Sequence, residues 1–402
     1  MTSPGLGAAR GKLLIVALLL FAGVTTEMLP VGLLPSISRT FDEPESATGL
    51  IVTLYASLVA VLALPLTLAT RRVPRKGLLL TATGCFAVGN LLSAVAPTFA
   101  VFAVARALGG ATHAVFFSLC IGYAARLVPA AKTGAALALA SVGISAGFVL
   151  GVPLATALGN AVGWRGSFVA LAALMALALV LVAVKLPAVQ ASAGQGKGLP
   201  GRRPRLLAVV SSNALLYAGH YTLYTYVTVL LLRAGAAPGA IGPVLLLFGG
   251  IGLVGVWIAG RQLDRRFRQT AFAAFVILCA GILGAGISFP VLGLVIIAGA
   301  VWNGAFGPAA SIYQTAAVRV QATTEDLAGA WIVATSNIGI AVGAASGGIV
   351  LHDGVRAIAW TAAVPVALAA VIVLAARRAF PATTAEDTAG LASGARTSRG
   401  RS

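Results

Sequence analysis

The chain has 402 residues; 59% are hydrophobic and 9% charged, and 28 Lys and Arg against 10 Asp and Glu give a formal net charge of +18. Ordinary soluble domains are about 25% charged, so this composition excludes a water-exposed globular protein, including the nucleic-acid-binding protein that the positive charge would suggest. The high apolar content excludes a disordered chain, and a polytopic membrane protein remains.

Long uncharged runs predict helices that cross the membrane, because such a helix needs about 20 mostly apolar residues. The first run, 12–39, contains one charge, Glu27, and no small-residue cleavage site follows it, so we interpret it as a span rather than a signal peptide. The longest run, 269–318, has room for two spans with a break at 288–290. Nine further runs bring the prediction to twelve transmembrane helices: 46–70, 77–105, 107–125, 133–164, 166–184, 206–232, 234–260, 327–352 and 357–376.

The runs are too long and too uniformly apolar for the strands of a membrane β-barrel, which have about 10 residues of alternating polarity. The predicted fold class is therefore an all-α polytopic membrane protein.

The connections between the runs alternate in charge. One set carries 23 Lys and Arg, and the alternate set carries only four. Basic residues concentrate in the cytoplasmic loops of membrane proteins, so we expect the basic set and both termini to be cytoplasmic. This set comprises the N-terminus, 70–76, 123–132, 185–205, 261–268, 316–326 and the residues after 376.

A stretch rich in Gly, Pro and basic residues, 187–205, divides the spans into six and six. We predict a six-helix bundle over 13–186, a cytoplasmic linker over 187–205 and a second bundle over 206–376. A cytoplasmic N-terminus (1–12) precedes them and a disordered cytoplasmic tail (377–402) follows. A parallel duplication of six helices is typical of transporters whose substrate site lies at the midplane between the halves.

The two halves share a glycine pattern at a constant offset of 196 residues. Small residues at every fourth position let two membrane helices approach closely. The pattern predicts tight packing of the fifth and eleventh helices, either as packing alone or to prevent leaks while the halves move. The residues are Gly143, Gly147, Gly151, Gly339, Gly343 and Gly347.

Five motifs are spread over nearly the whole chain: GVTTEMLPVGLLPSIS (23–38), Arg106 with Gly109-Gly110 and His113, the glycine run that ends at Pro153, AGHYTLYTYV (218–227) and GRQLDRRFR (260–268). These motifs resemble those of the major facilitator superfamily. More narrowly, they are similar to the bacterial drug:proton antiporter branch, which includes sugar-efflux permeases.

This resemblance implies a monomeric transporter of the bacterial cytoplasmic membrane, built from two pseudo-symmetric six-helix halves. It also implies gating roles for the glycine run with Pro153 and for the loop after the eighth helix, where the matching positions are Gly260, Asp264, Arg265 and Arg268. The equivalent loop after the second helix, TRRVPRKG (70–77), lacks the family's carboxylate. Asp264 is therefore expected to supply the only carboxylate of a cytoplasmic latch.

Two formally charged residues, Glu27 and Arg106, lie inside the predicted spans. Because a central charge costs about 2.5–3.5 kcal/mol on insertion scales, we expect both to serve a function. Glu27 would bind a proton or the substrate; alternatively, it satisfies neighbouring hydroxyls or pairs with Arg106. Arg106 shares a helical face with Gly110, His113 and Phe117, where it would anchor backbone carbonyls or assist coupling. His113 would relay protons or satisfy a buried hydrogen bond.

The seventh predicted helix carries an aromatic face at the spacing i, i+3, i+4 and i+7, formed by Tyr217, His220, Tyr221 and Tyr224. Rings with polar tips suit a cavity that stacks on and hydrogen-bonds an amphipathic solute; ordinary packing between helices is the alternative. Asn303 and Asn337 are further polar candidates for the substrate site. Trp302 and Tyr313 would fit either that site or the aromatic belt at the membrane interface.

These patterns together predict a secondary active transporter that exports a small organic solute, drug-like or sugar-like, in exchange for protons by alternating access. A proton-coupled importer or facilitator is the alternative within transport, and a non-transporting receptor is a remote one. An enzyme is not expected, since the sequence has no HExxH motif and no acid pair within the spans. Transport driven by ATP is not expected either, because no GxxxxGK[ST] motif occurs. No cofactor, metal or nucleic acid is expected; the partners are the solute, protons and the bilayer.

Overall fold

The computed structural model describes residues 6–70, 72–129, 132–189, 201–323 and 325–382. Within these residues the chain forms twelve helices long and apolar enough to cross a membrane, which confirms the predicted number. The central part of the linker and the tail beyond 382 lie outside the described residues, so their predictions remain untested.

The first half contains six membrane helices. Most of their ends lie close to charged residues, because charges are costly inside the hydrocarbon. The break between α3 and α4, at 96–98, is uncharged. The helices are α1 (Leu6–Phe41), α2 (Glu45–Ala69), α3 (Arg75–Val95), α4 (Phe99–Arg126), α5 (Thr133–Ala146, one π-helical turn at Gly147–Gly151, then Val152–Val162) and α6 (Trp164–Lys185).

The second half repeats this arrangement, with interruptions inside several helices. The long helix Ile241–Ser288 is divided at Arg266, which has non-helical backbone angles, so its two parts count as two spans. The helices are α7 (Arg203–Tyr224 and Val227–Arg233), α8 (Pro238–Leu263), α9 (Arg265–Ser288), α10 (Leu292–Phe306 and Ala309–Val320), α11 (Glu325–Val350, then a 3₁₀ turn at Leu351–Asp353) and α12 (Val355–Ala375).

The glycine runs mark the closest helix packing in each half. A Cβ atom on Gly143 of α5 would lie 2.0 Å from the carbonyl oxygen of Ala17 in α1. A Cβ atom on Gly343 of α11 would lie 2.3 Å from the carbonyl oxygen of Ala218 in α7. Each glycine run therefore packs against the first helix of its own half, and the same contact occurs in both halves.

Polar contacts join the two halves toward one end of the bundle. We call the end where α1 begins and α12 ends the inner end, and the opposite end the outer end. Near the outer end Asn160 Nδ2 donates to the carbonyl of Pro238 at 2.9 Å, and Arg233 lies 2.8 Å from the carboxylate of Glu45. The outer ends of the halves are thus held against each other.

The glycine contact between α1 and α5 can be tested with Gly143→Ala. The added methyl group cannot fit beside the Ala17 carbonyl without moving the backbone, and overpacking of this kind costs about 1–3 kcal/mol. We expect the midpoint of thermal unfolding of the detergent-purified protein, measured by tryptophan fluorescence, to be lower than that of the wild type.

The matched control is Gly84→Ala, because a Cβ atom at Gly84 in α3 would meet nothing within 4 Å. Alanine favours a helix over glycine by about 1 kcal/mol, so this variant should be as stable as the wild type or more so. Equal losses of stability in both variants would contradict the packing argument.

Candidate functional site

Arg106 of α4 compensates for a proline in α1. Proline has no N–H group, so Pro30 removes the helical donor of the carbonyl four residues earlier, on Thr26. Arg106 supplies that donor: Nη1 donates to the carbonyl of Thr26 at 2.9 Å, and Nη2 donates to the carbonyl of Glu27 at 3.1 Å. The buried guanidinium thus binds the backbone of α1. This geometry fits the anchoring role for Arg106, and its part in coupling stays a prediction.

The Glu27 side chain faces a histidine and a tyrosine. One carboxylate oxygen of Glu27 lies 3.5 Å from Nδ1 of His113. The hydroxyl of Tyr55 lies 3.1 Å from the same nitrogen, and the Arg106 guanidinium lies 4.5 Å from the centre of the Tyr55 ring. His113 also stacks on Phe117, with ring centres 4.2 Å apart. The structure therefore brings Glu27, Arg106 and His113 into one buried cluster within the first half.

The aromatic face of α7 is centred on His220. Its Nδ1 atom accepts a hydrogen bond of 2.9 Å from Nε1 of Trp302, and its ring stacks on Phe306 with centres 3.5 Å apart. Trp302 is fully buried, as is Tyr313, whose hydroxyl lies 2.8 Å from that of Ser212. The prediction that Trp302 and Tyr313 belong to the aromatic belt at the membrane interface is therefore wrong. Both side chains are buried and find hydrogen-bond partners inside the second half.

The three tyrosines of this face differ in exposure. Tyr221 is buried, and its hydroxyl donates to the sulfur of Met28 in the first half at 3.5 Å. Tyr217 and Tyr224 are only partly buried. Tyr217 stacks on Tyr221 and meets the edge of Phe306. Tyr217 and Tyr224 are thus the members of the face that a solute could reach, whereas His220 and Tyr221 are occupied by contacts within the protein.

The two asparagine candidates bond mainly to their own helices. Asn303 Nδ2 donates to the carbonyl of Gly299 in α10 at 2.9 Å, and Asn337 Nδ2 donates to the carbonyl of Val333 in α11 at 3.0 Å. The buried Oδ1 of Asn337 accepts no hydrogen bond. Asn337 therefore keeps an available acceptor, which a hydroxyl or amine of a solute could use. The structure brings neither asparagine into the Glu27 cluster.

The loop motif after α8 lies at the inner end, away from the buried clusters. A Cβ atom at Gly260 would meet nothing within 4 Å, Arg265 is exposed and Arg268 is partly exposed. The side chain of Asp264 lies outside the described part, so the predicted latch remains a prediction. Pro153 is the second residue of the last part of α5, which follows the π-helical turn.

Sequence reasoning missed two members of the buried cluster, Tyr55 and Asn90. Tyr55 contacts His113, as described above, and Asn90 of α3 donates to the hydroxyl of Thr26 at 3.1 Å. A polar residue in an otherwise apolar run was the available signal for Asn90. Tyr55 carried no such signal, because its role depends on which face of α2 turns toward α4.

A second proline in α1 produces a hydrogen bond between the halves. Pro35 removes the helical donor of the Val31 carbonyl. The Thr228 hydroxyl of α7 donates to this carbonyl at 2.9 Å. The Gly32 carbonyl lies 3.3 Å from the same hydroxyl oxygen of Thr228. Thr228 belongs to the short helical segment that follows the interruption of α7 at Tyr226. The polar backbone that Pro35 exposes in one half is thus satisfied by the other half.

Comparison with known proteins agrees with this architecture. The model of the Major Facilitator Superfamily matches residues 14–324. The "Probable sugar efflux transporter" of Mannheimia succiniciproducens is 32% identical over 362 residues, 88% of this chain and 90% of that protein.

Two solved structures share the fold. A bacterial homologue of the human lysosomal transporter Spinster, in an inward-facing and occupied conformation, has a TM-score of 0.76 at 15% identity and covers 92% of this chain and 97% of its own. A D-xylose–proton symporter has a TM-score of 0.73 at 16% identity, and the match covers 92% of this chain and 98% of the symporter chain. At these identities the likeness concerns the fold alone.

The described residues form twelve helices that can span a membrane. Together with the family match over residues 14–324 and the 32%-identical relative, they define a multi-pass membrane transporter of small molecules, not an enzyme. The chain belongs to the major facilitator superfamily.

The hydrogen bond from Thr228 to α1 can be tested by Thr228→Val, which keeps the shape of the side chain and removes the donor. A hydrogen bond contributes about 0.5–1.5 kcal/mol net, so the population with separated outer ends should rise about twofold to tenfold. Spin labels on Arg39→Cys and Ala237→Cys, in a background without the native cysteines, report the distance between the outer ends.

Thr83→Val is the control, because the buried hydroxyl of Thr83 bonds only to the Leu79 carbonyl within α3. Its distance distribution should match that of the labelled parent protein. An unchanged distribution for Thr228→Val would show that this hydrogen bond does not hold the halves together.

Proposed function

We propose that this protein is a proton-coupled antiporter that exports a small organic solute, sugar-like or drug-like, across the bacterial cytoplasmic membrane. Both termini are cytoplasmic in this proposal, the bundles of 13–186 and 206–376 rock about a central site, and the transporter acts as a monomer. The observation that carries the proposal is the buried cluster of Glu27, His113 and Tyr55. The name of the 32%-identical relative, a sugar efflux transporter, supports the direction and the solute class.

Glu27 is the proton-binding group of the proposed mechanism. Its carboxylate is buried in the membrane and lies beside Nδ1 of His113, so a proton can pass between them through a small movement of either side chain. Arg106 holds the backbone carbonyls on both sides of the Glu27 Cα atom. A proton bound from outside is released inside as the solute leaves in the other direction.

The solute binds between the halves, with Tyr217 and Tyr224 as its aromatic surface. These rings are partly exposed and are supported from behind by His220, Tyr221 and Phe306. Such a surface stacks against the apolar face of a sugar or a drug-like ring, while its hydroxyls hydrogen-bond the polar groups. Asn337 and Asn303 supply further polar contacts.

The glycine runs and the loop after α8 allow the movement in this proposal. The runs in α5 and α11 keep each half rigid, because their helices pack backbone to backbone against α1 and α7. Gly260, Asp264, Arg265 and Arg268 form the inner latch between the conformations.

Proton coupling is tested by Glu27→Gln in proteoliposomes. The amide cannot release a proton, so efflux driven by a pH gradient should fall to the rate of protein-free vesicles. Counterflow of labelled solute, which needs no net proton movement, should persist. The probes are a labelled pentose and a cationic dye, one for each proposed solute class.

Asp42→Asn is the charge-matched control: Asp42 is exposed between α1 and α2 and has a positive φ of 53° that asparagine tolerates well. Its efflux should equal that of the wild type. Wild-type efflux by Glu27→Gln would rule out this carboxylate as the coupling group. Uptake driven by a solute gradient alone, at equal rates with and without a pH gradient, would favour a facilitator.

The aromatic surface is tested by Tyr224→Leu, which keeps a branched apolar side chain and removes the aromatic ring. An aromatic stacking contact contributes about 0.5–1.5 kcal/mol, so KM for the transported solute should rise about threefold to tenfold. The pH dependence of transport should stay unchanged, because the Glu27 cluster is intact. Trp360→Leu removes an aromatic ring from an exposed position of α12 and should leave KM unaltered. Equal KM values in both variants would exclude Tyr224 from the binding site.

A further inference from the structure

A groove of about 530 Å³ opens between the two halves, along α5 and α8. Its walls are almost entirely apolar. Six of the residues that line it come from α5 and one, Leu253, comes from α8; those of α5 are Ser141, Val142, Ser145, Ala146, Val149 and Leu150. Val142, Leu150 and Leu253 are each more than two-fifths exposed, although they lie in helices that cross the membrane. The groove is therefore an apolar surface in the hydrocarbon that protein atoms leave uncovered.

The groove exists because α5 and α8 touch near their outer ends and separate toward their inner ends. Three glycines on one face of α8 mark how the distance to α5 changes along the helix. A Cβ atom at Gly242 would lie 3.0 Å from that of Ala157, and one at Gly249 would lie 2.8 Å from Cα of Val149. A Cβ atom at Gly260, on the same face, would meet nothing within 4 Å. The space between the helices thus widens from the middle of the membrane to the inner surface.

An aromatic ring and a cation follow the groove residue Leu253 along α8 toward its inner end. Leu253, Trp257 and Arg261 follow each other at intervals of four residues, so they form a line along one side of the helix. Trp257 is more than half exposed, and the Arg261 guanidinium lies 3.6 Å from the centre of its ring. This contact holds the positive charge of Arg261 beside the Trp257 ring, at the inner end of α8.

The dimensions fit one leaflet of the membrane. A helix rises about 1.5 Å per residue, so Leu253 and Arg261 are about 12 Å apart along α8. Half of the hydrocarbon thickness is about 15 Å. Leu253 therefore lies near the middle of the bilayer and Arg261 near its surface, with Trp257 at the depth where indole rings concentrate.

We propose that this groove is a binding site for an anionic phospholipid of the inner-side leaflet. One acyl chain lies between α5 and α8 against Val149, Leu150 and Leu253, and the phosphate contacts Arg261 beside the Trp257 ring. The cytoplasmic leaflet carries the anionic lipids that a cation at this position attracts, so the proposal rests on the orientation proposed above. Because the groove requires separated inner ends of α5 and α8, the bound chain favours the conformation described here.

Native mass spectrometry of the full chain in detergent, with equal amounts of phosphatidylglycerol and phosphatidylcholine, tests the site. The wild type should retain phosphatidylglycerol preferentially. Arg261→Gln should lower the phosphatidylglycerol-bound fraction about fivefold, the factor that corresponds to about 1 kcal/mol per basic residue near an anionic surface. Arg377→Gln, which removes an exposed basic residue after α12 at the same end, should leave it unchanged. Equal retention of the two lipids, or a wild-type level in Arg261→Gln, would overturn the proposal.

Filling the groove gives an independent test. Ser145→Trp places an indole where the acyl chain would lie and should reduce the retention of both lipids. Val142→Phe serves the same purpose if the first variant does not fold. Retention of both lipids at wild-type levels in a folded variant would exclude the groove as the site. These measurements require no transport, so their failure would leave the proposed antiport untouched, and loss of antiport would leave them valid.

Discussion

The structure depends on the need to satisfy every backbone carbonyl that a proline exposes in α1. Inside the hydrocarbon no water is available, and an unpaired polar group costs several kcal/mol. Pro30 and Pro35 each remove one donor from the helix. Arg106 replaces the first from within the same half, and Thr228 replaces the second from the opposite half. The same helix is thereby held by its own half on one side and by the opposite half on the other.

The difference between these two donors has a mechanical consequence. A buried arginine that binds two successive carbonyls of α1 ties α4 to the segment that carries Glu27. A threonine hydroxyl that reaches across the interface can be replaced by another donor or by water when the halves separate. In the proposed mechanism the Glu27 cluster stays intact in one half while the contact between the halves forms and breaks.

Glycine determines where the helices of this protein approach and where they part. In α5 and α11 the absence of side chains brings backbones into contact with the first helix of the same half. Along α8 the glycines of the outer part contact α5, whereas Gly260 faces open space. Halves that pack this closely within themselves suit the rigid-body rocking of the proposed mechanism.

The sequence by itself determined the class of protein, the number of helices and the division into two halves. These properties follow from local quantities, since a span is decided by the length of an apolar run and the repeat by an offset between glycines. It also indicated Glu27, Arg106 and His113, because charge in an apolar run is conspicuous. Only the tertiary structure decided that Arg106 binds the carbonyls of α1 rather than the Glu27 carboxylate, and that Tyr55 joins the cluster. It also placed Trp302 inside the bundle, against His220. These facts depend on the rotation of each helix about its own axis, and that rotation is set by packing between helices distant in the chain.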